Sequence, residues 1–457
     1  MATLSEIKRR PIYDPWKLAD IKYEGTEDGF TSSAGLGPML DLFSNSSIFT
    51  SFKKCLPARI SNASYDTSHF GLTLFAGFLY GHDCLDDLEE FQSDPLVSTK
   101  LGGIPSPKAM GDWLRDFRPE NIHSMDSLLS KQALETREKL TKNQDITIDI
   151  DSTSHIQRGV KMEGLAYNYK GEWCLDSLVA FDELGLCHAM DLRSGSTFSC
   201  ENGDKMIERI FSQFPFRKKK YLRGDSAFCN EDMMRVALRH GAKFTFAAHE
   251  RMLWTQKIPT VTNWEEWIYT DEEKKQAFKR EVELPKVELG SYRYQPEWTD
   301  TLWFPVIIKR TWSFIKAEEK WGWTYYAIVT NWDLFYHRKQ KVMEHYQMRG
   351  HSENFIREEK YGWDLKHFPC KKMMANHAYG LLALVTHNFL RTVALLENRQ
   401  NPHFSKKIRR KFIFIPGKLI RHSRRWVMKI PNHFWREVQR LIHAWTAAFS
   451  PVLARAG

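Results

Sequence analysis

A strictly alternating run at residues 145–151 constrains the fold of this chain more than any other segment. Isoleucine fills every second position of the run, and Thr147, Asp149 and Asp151 stand between and after the isoleucines. Because successive side chains of a strand point to opposite faces, the run predicts a half-buried strand with an acidic polar face. Such a strand needs partner strands and a covering layer, so a sheet is expected around it.

Strand-like and helix-like segments follow this run. The strand-like segments are residues 177–181, 187–192, 220–224 and 243–247. Helical patterns cover residues 204–213 and 231–240, and Gly241 follows the second as a helix-terminating glycine. Strands first and alternating helices later predict an α/β fold with a mixed sheet.

The pattern divides the chain into five regions. Residues 1–143 are expected to be helical after an extended arm, and residues 401–457 to form a basic helical C-terminal region. Between them, residues 144–249 and 325–400 are predicted to build one α/β core. Residues 250–324 are rich in Trp and β-patterned, and they interrupt that core.

Positive charge is concentrated near the C-terminus. The net charge is +10 over 457 residues, whereas residues 401–457 alone hold 13 Lys or Arg against the single acid Glu437. A local surplus of this kind favours a polyanionic partner such as DNA, although a charge run can also be a solvated face. The candidate DNA-binding residues are Lys108 on a short helix that begins at Ser106 or Pro107, the run Arg217, Lys218 and Lys219, and Arg409, Arg410, Arg424 and Arg425 in the C-terminal region.

Several classes of protein are disfavoured. The seven cysteines form no Cys-x-x-Cys pair, which indicates free thiols in a reducing cytoplasm rather than disulfides or a zinc module. No His-x3-His spacing of a zinc enzyme occurs, so His155, His188 and His377 are expected to be structural or DNA-facing. Residues 1–17 are polar and charged, so neither a signal peptide nor a membrane span is expected.

The most informative segment is residues 346–360. At about 100° per residue, Tyr346, Arg349, Glu353 and Lys360 fall within roughly a 60° arc of one predicted helix. Taken alone, Arg349 and Glu353 are better explained as a surface ion pair worth a few tenths of a kcal/mol, because such pairs are common.

Two aspartates extend this group. Asp151 and Asp225 each close a predicted strand, where an aspartate can also simply cap a turn. A mixed sheet brings strand ends together, and a helix packed on it can add Glu353. Three converging acids repel one another unless cations are fixed between them, and hard ions such as Mg²⁺ or Mn²⁺ prefer carboxylate oxygen. Two such ions are the known means of cutting a phosphodiester.

At these residues the sequence resembles the DDE transposases of bacterial insertion sequences. Tyr346, Arg349, Glu353 and Lys360 match the family signature Tyr-x2-Arg-x3-Glu-x6-Lys at all four positions. Further blocks resemble the family at Asp151-Ser-Thr, at residues 192–195 and 223–228, and at Asn376; Ser194 stands where the family usually has Pro. The resemblance covers roughly residues 30–430.

The resemblance implies a fold and an activity. It implies an RNase H-like mixed-sheet catalytic core interrupted by a β-rich insertion, with helical N- and C-terminal regions. Asp151, Asp225 and Glu353 would hold two Mg²⁺ or Mn²⁺ ions and carry catalysis. The N-terminal region, with a helix-turn-helix-like element near residues 104–117, would bind terminal inverted repeats. The transposon ends would be cut and their 3′-hydroxyls joined to target DNA by a homodimer or larger assembly, in the bacterial cytoplasm at the nucleoid.

Some alternatives stay open. Asp149 shares a face with Asp151, and we prefer Asp151 because Ser152 and Thr153 follow it directly. An insertion aromatic stacks on a flipped base in related enzymes, so Trp298, Trp303, Trp312 and Trp323 are candidates, although core packing is the better explanation for each. The activity could be that of a nuclease without strand transfer, or the chain could be a DNA-binding regulator descended from a transposase.

Overall fold

The structure is a computed structural model. It describes residues 22, 24–25, 28–58, 65–141, 145–159, 161–215 and 218–449. Most of the predicted N-terminal arm and the candidate Arg217 lie outside these residues.

After the two-residue strand β1, the described chain begins with seven α-helices, and strands and further helices follow in mixed order. The helices are α1 (Leu36–Ser44), α2 (Ser47–Cys55), α3 (Thr67–Tyr80), α4 (Glu90–Ser93), α5 (Pro95–Leu101), α6 (Pro107–Arg115), α7 (Pro119–Leu140), α8 (Gly203–Ser212), α9 (Glu231–Arg239), α10 (Trp254–Lys257), α11 (Asp271–Lys279), α12 (Lys339–Gln347), α13 (Gly350–Gly362), α14 (Met373–Glu397), α15 (Ser405–Phe412) and α16 (Asn432–Phe449). The strands are β1 (Phe30–Thr31), β2 (Ile146–Ile156), β3 (Ala166–Tyr167), β4 (Trp173–Asp182), β5 (Cys187–Ser194), β6 (Lys220–Gly224), β7 (Lys243–Ala247), β8 (Glu265–Glu266), β9 (Val287–Tyr294), β10 (Phe304–Ile315), β11 (Lys320–Thr330), β12 (Gly417–His422) and β13 (Arg425–Lys429).

A ten-stranded mixed sheet forms the centre of the molecule. Its order is β3-β4-β2-β6-β7-β11-β10-β9-β8, and β5 pairs with β4. The pairs β2–β6 and β6–β7 are parallel, and the other pairs are antiparallel. The predicted α/β class with a mixed sheet is therefore confirmed.

The strand register brings two predicted acids level with each other. The parallel pairing of β2 with β6 ends at Asp149 opposite Arg223, so two residues further on Asp151 stands level with Asp225. The prediction that Asp151 ends its strand is wrong. The antiparallel pairing with β4 holds β2 extended as far as Ile156, opposite Cys174.

Several local predictions are confirmed by the backbone. β6 and β7 have the predicted bounds. α6 begins at Pro107, and the Ser106 hydroxyl accepts a hydrogen bond from the Ala109 amide (3.2 Å). A Ser cap followed by Pro in the first turn is a strong helix start because both satisfy or remove orphan amide donors.

The long helix α14 lies in the middle of the helical layer. It contacts α3, α6, α7, α15 and α16 as well as β5. Within the described residues it is the one helix long and apolar enough to cross a membrane, yet almost all of its apolar window is buried inside the protein. That burial is typical of a core helix.

The C-terminal region differs from its prediction. Residues 401–457 were expected to be helical, whereas β12 and β13 form an antiparallel hairpin between α15 and α16. β1 from the N-terminal region pairs with the other edge of β12. Strand-favouring residues such as Leu419, Ile420 and Val427 and the edge offered by β1 explain the difference.

The β-patterned segment joins the central sheet instead of forming a sheet of its own. β11 pairs with β10 along its length and with β7 through Ile328, Val329 and Thr330. The expected boundary at residues 324–325 falls inside this single strand.

Candidate active site

Arg349 lies between two of the predicted acids. Its Nη2 donates to Asp151 Oδ2 at 2.5 Å, and its Nη1 stands 3.9 Å from Glu353 Oε1. Asp225, level with Asp151, is half-buried, and its Oδ1 accepts from the Ala227 amide at 2.8 Å. The three acids thus come from β2, from the residue after β6 and from the first turn of α13.

The charges of these groups act on one another. Burial raises the pKa of Asp151 to about 6, and the carboxylates of Asp225 and Glu353 add to the rise while Arg349 opposes it. Burial lowers the pKa of Arg349, but Asp151, Tyr346 and Asp225 together raise it above its ordinary value. Asp151 therefore stands in a field of negative charge that a cation relieves.

The donor set fits a hard divalent ion in its chemistry, because Asp151, Asp225 and Glu353 all offer carboxylate oxygen. The three carboxylates stand farther apart than the ligands of an occupied metal site. Among the described residues, no group of three His, Cys, Asp or Glu stands at metal-binding distance. The Glu353 side chain is 69% exposed, and Arg349 holds Asp151 Oδ2 in this conformation.

The signature residues occupy two helices, which corrects the prediction of one helix. Tyr346 lies in α12, Arg349 lies in the break, and Glu353 and Lys360 lie in α13. At the break, the amide of Arg349 bonds to the Tyr346 carbonyl (2.9 Å), a spacing of three residues instead of four. The Ser352 hydroxyl donates to the Arg349 carbonyl (2.8 Å). A side chain that takes a backbone acceptor in this way competes with regular helix bonding.

Tyr346 has a partner that the sequence did not reveal. The Tyr326 hydroxyl in β11 donates to the Tyr346 hydroxyl at 2.8 Å. Burial raises the pKa of both phenols. No spacing rule links positions 326 and 346, because their contact depends on how α12 packs on the sheet.

Asp149 has a different environment from Asp151. Arg223 holds both of its oxygens, through Nε and Nη2, at 2.6 Å each, and the Arg223 Nη1 donates to the His345 carbonyl (2.6 Å). Asp149 is only 3% exposed. It is a buried structural ion pair, which favours Asp151 as the acid that faces the site.

Lys360 lies about two helical turns after Glu353 in α13. It lies near the carboxylates of Glu359, Glu172 and Asp176, which oppose the lowering of its pKa by burial. Glu353 and Lys360 lie seven residues apart in α13 and share one side of that helix, so the break separates only Tyr346 and Arg349 from the predicted stripe.

The predicted DNA-binding residues fall into two groups. Arg409 is buried: it donates to the carbonyls of Phe78 and Leu79 (2.8 and 3.0 Å) and lies 4.6 Å from the Trp363 ring. This packing contradicts the expectation of a DNA contact. The side chains that are exposed or half-exposed are Lys108, Lys218, Lys219, Arg410, Arg424 and Arg425.

The four tryptophan candidates also differ in environment. Trp298 is half-buried beneath the Arg235 guanidinium, which lies 4.5 Å from its ring. Trp312 and Trp323 pack edge to face across β10 and β11, with ring centroids 5.3 Å apart. Trp303 is 54% exposed. Packing thus accounts for three of the four rings.

The histidines and cysteines have structural environments. His155 bonds to the Ser177 hydroxyl (2.7 Å), His188 to Asp182 (3.0 Å) and His377 to the Met190 carbonyl (3.0 Å). All seven cysteines are free thiols. Both findings agree with the sequence-based expectations.

The chain was compared with models of protein families. The family model described as "Transposase DDE domain group 1" matches residues 17–449. No curated protein matches the chain significantly.

Proposed function

Because the chain belongs to the transposase DDE domain family, group 1, we propose that it cuts DNA at transposon ends and joins the freed 3′-hydroxyls to target DNA. The observation that carries this proposal is the convergence of Asp151, Asp225 and Glu353 on Arg349. A pure DNA-binding regulator gains nothing from three mutually repelling acids.

We assign the metal ions of this reaction to the three carboxylates. Asp151, Asp225 and Glu353 would hold two Mg²⁺ or Mn²⁺ ions. Such ions, when bound, activate a water or 3′-hydroxyl and stabilise the leaving oxygen of a phosphodiester.

The other residues of the site would hold the acids in position and neutralise phosphate charge. Arg349 keeps Asp151 in place before loading and then offers its guanidinium to a phosphate oxygen. The buried Asp149–Arg223 pair fixes β2 against β6 and α12, so the two aspartates stay level. The Tyr326–Tyr346 bond ties β11 to the end of α12.

The finer features of the fold and assembly belong to the same proposal. The strand order β5-β4-β2-β6-β7, three antiparallel strands followed by two parallel ones, supports an RNase H-like core. Residues 250–324 would be its β-rich insertion, and residues 1–143 would bind the terminal inverted repeats. Two copies or more would bridge the two ends.

A plasmid that carries the gene with its flanking DNA tests the activity. With Mg²⁺, we expect the full chain to release the segment between the flanks and to give joined products in a second plasmid. Asp225→Asn and Glu353→Gln should each abolish both products. Asp232→Asn and Glu344→Gln, on exposed acids elsewhere, serve as matched controls that keep activity.

Two results would contradict the proposal. Unchanged cutting by the Asp225→Asn and Glu353→Gln variants would show that the three acids do not form the catalytic site. Nicked DNA without any joined product would instead identify a nuclease.

A further inference from the structure

The β12–β13 hairpin ends in an unusual turn. Ser423 and Arg424 connect the strands, and both have left-handed backbone angles, with φ of +50° and +64°. Two consecutive left-handed residues form a type I′ turn, which strongly prefers Asn and Gly. Arg in this conformation costs free energy because its Cβ crowds the backbone. Strain of this kind is kept where the side chain has a task.

The hairpin also carries concentrated positive charge. Residues 417–430 contain Lys418, Arg421, Arg424, Arg425 and Lys429 and no acid. Among the residues that the structure describes, Arg421, Arg424 and Arg425 have no carboxylate partner, and all three are exposed. These three arginines differ from Arg137, Arg193 and Arg223, each of which pairs with Asp or Glu.

The hairpin is held firmly at its base. The Leu419 amide donates to the Gly29 carbonyl, and the Ala34 amide to the Ile415 carbonyl, both at 2.8 Å. Gly417 approaches Ala34 so closely that a Cβ would stand 2.6 Å from the Ala34 methyl. The tip is therefore a set of cations on a fixed support, which lowers the entropy lost on binding an anion.

We propose that the β12–β13 hairpin is a DNA-binding arm whose tip places Arg424 and Arg425 in the minor groove of a duplex. The minor groove is about 6 Å wide, so it admits side chains from a turn but not the paired strands themselves. Narrow A·T-rich minor grooves concentrate negative potential and attract arginine. This inference rests on the proposed function for the identity of the ligand, DNA.

The first test measures binding of the full chain to short labelled duplexes by fluorescence anisotropy at several salt concentrations. Arg424→Ala with Arg425→Ala should weaken binding at least about tenfold. The slope of log K against log salt is negative, and the substitutions should make it shallower by about 2. Lys274→Ala with Lys275→Ala, on the exposed and acid-rich α11, is the matched control and should change neither.

The second test separates contact from folding. Ser423→Asn with Arg424→Gly places preferred residues in the turn, so it should raise Tm and still weaken DNA binding. If the turn had only a structural role, Tm and the affinity for DNA would change in the same direction. Replacing Arg424 and Arg425 by lysine should keep the salt slope but lose the preference for A·T-rich over G·C-rich duplexes.

Several outcomes would overturn the inference. An unchanged salt slope in the alanine variant would show that the hairpin does not contact DNA. A retained A·T preference in the lysine variant would show that Arg424 and Arg425 do not contact the minor groove. Loss of binding to anionic vesicles, with DNA binding intact, would assign the hairpin to a membrane surface. If the slope is unchanged while Glu353→Gln still abolishes cutting, the hairpin inference fails and the proposed function stands.

Discussion

Asp149 and Asp151 are two residues apart on one strand, yet their surroundings predict opposite consequences of substitution. Asp149 is buried in a two-bond pair with Arg223, whereas Asp151 is crowded by like charge and bonded once by Arg349. Removing one partner of a buried pair leaves an uncompensated charge.

We therefore expect Asp149→Asn to lower the free energy of unfolding by about 3–5 kcal/mol. Asp151→Asn should lower it by less than about 1 kcal/mol, because it also relieves repulsion from Asp225 and Glu353. Urea unfolding measures both. DNA cutting should be lost in the Asp151 variant although it stays folded. A folded and active Asp151→Asn protein would exclude Asp151 from the site.

The sequence predicted the three acids but not their environment. Spacing placed Asp225 after a strand and Glu353 on a helix, since both are local patterns. The bond from Arg349 to Asp151 spans 198 positions and follows from packing alone. The predicted DNA contact of Arg409 was wrong for the same reason. Its neighbours in sequence are basic, but its neighbours in space are the backbone carbonyls at the end of α3.

A buried ion-pair network fixes the helix α7 to the sheet. Arg137 Nη1 donates to Asp182 Oδ2, and Arg137 Nη2 to Glu183 Oε1, both at 2.9 Å. His188 Nε2 lies 3.0 Å from the same Asp182 oxygen. Burial raises the pKa of Asp182, but Arg137 and His188 outweigh it and bring the pKa down to about 2.

This network predicts an acid-sensitive contribution to stability. The folded pKa of Asp182 is below its ordinary 3.8, so the stabilisation is present above about pH 4 and is lost as the pH falls towards 2. Arg137→Met should cost about 3–5 kcal/mol at pH 7, and the difference from the wild type should shrink at low pH.

Arg115→Ala provides the comparison, because its pair with Asp112 is half-exposed. It should cost less than about 1 kcal/mol at either pH. Urea unfolding at pH 7 and pH 3 measures both variants. Equal losses for Arg137→Met and Arg115→Ala would show that the network contributes no more than a surface pair.

Elements with a strong local signal were predictable, and those set by distant partners were not. β6 and β7 are short segments with clear ends, and α6 has a Ser-Pro start. The break between α12 and α13 depends on bonds made at Arg349 and Ser352. The hairpin β12–β13 depends on an edge that β1 supplies from the other end of the chain.

The helical layer and strands β4 and β5 of the sheet share one apolar cluster, in which α14 is central. Phe389 on this helix contacts Phe43 of α1, Phe75 of α3 and Trp445 of α16, with ring centroids 5.7, 5.4 and 5.1 Å apart. Chain segments from the beginning and the end of the sequence thus meet on one ring, which predicts that they unfold together.

Phe389→Ala should lower the free energy of unfolding by about 3–5 kcal/mol through the cavity it leaves. Far- and near-UV circular dichroism should still report one shared midpoint. Phe335→Ala, at an 88% exposed side chain, is the control and should have little effect. Separate midpoints for the two signals would show that the helical layer and the sheet unfold independently.

Strand β11 has a consequence for protein engineering. It pairs with β10 from Lys320 to Val329, and its last three residues, Ile328, Val329 and Thr330, also pair with β7 on the other edge. Exchanging residues 250–324 between homologues would cut this strand in two and leave mismatched halves in register. A viable chimera needs its downstream junction after Thr330, in the segment before α12, so the transferable unit is longer than the sequence pattern suggests.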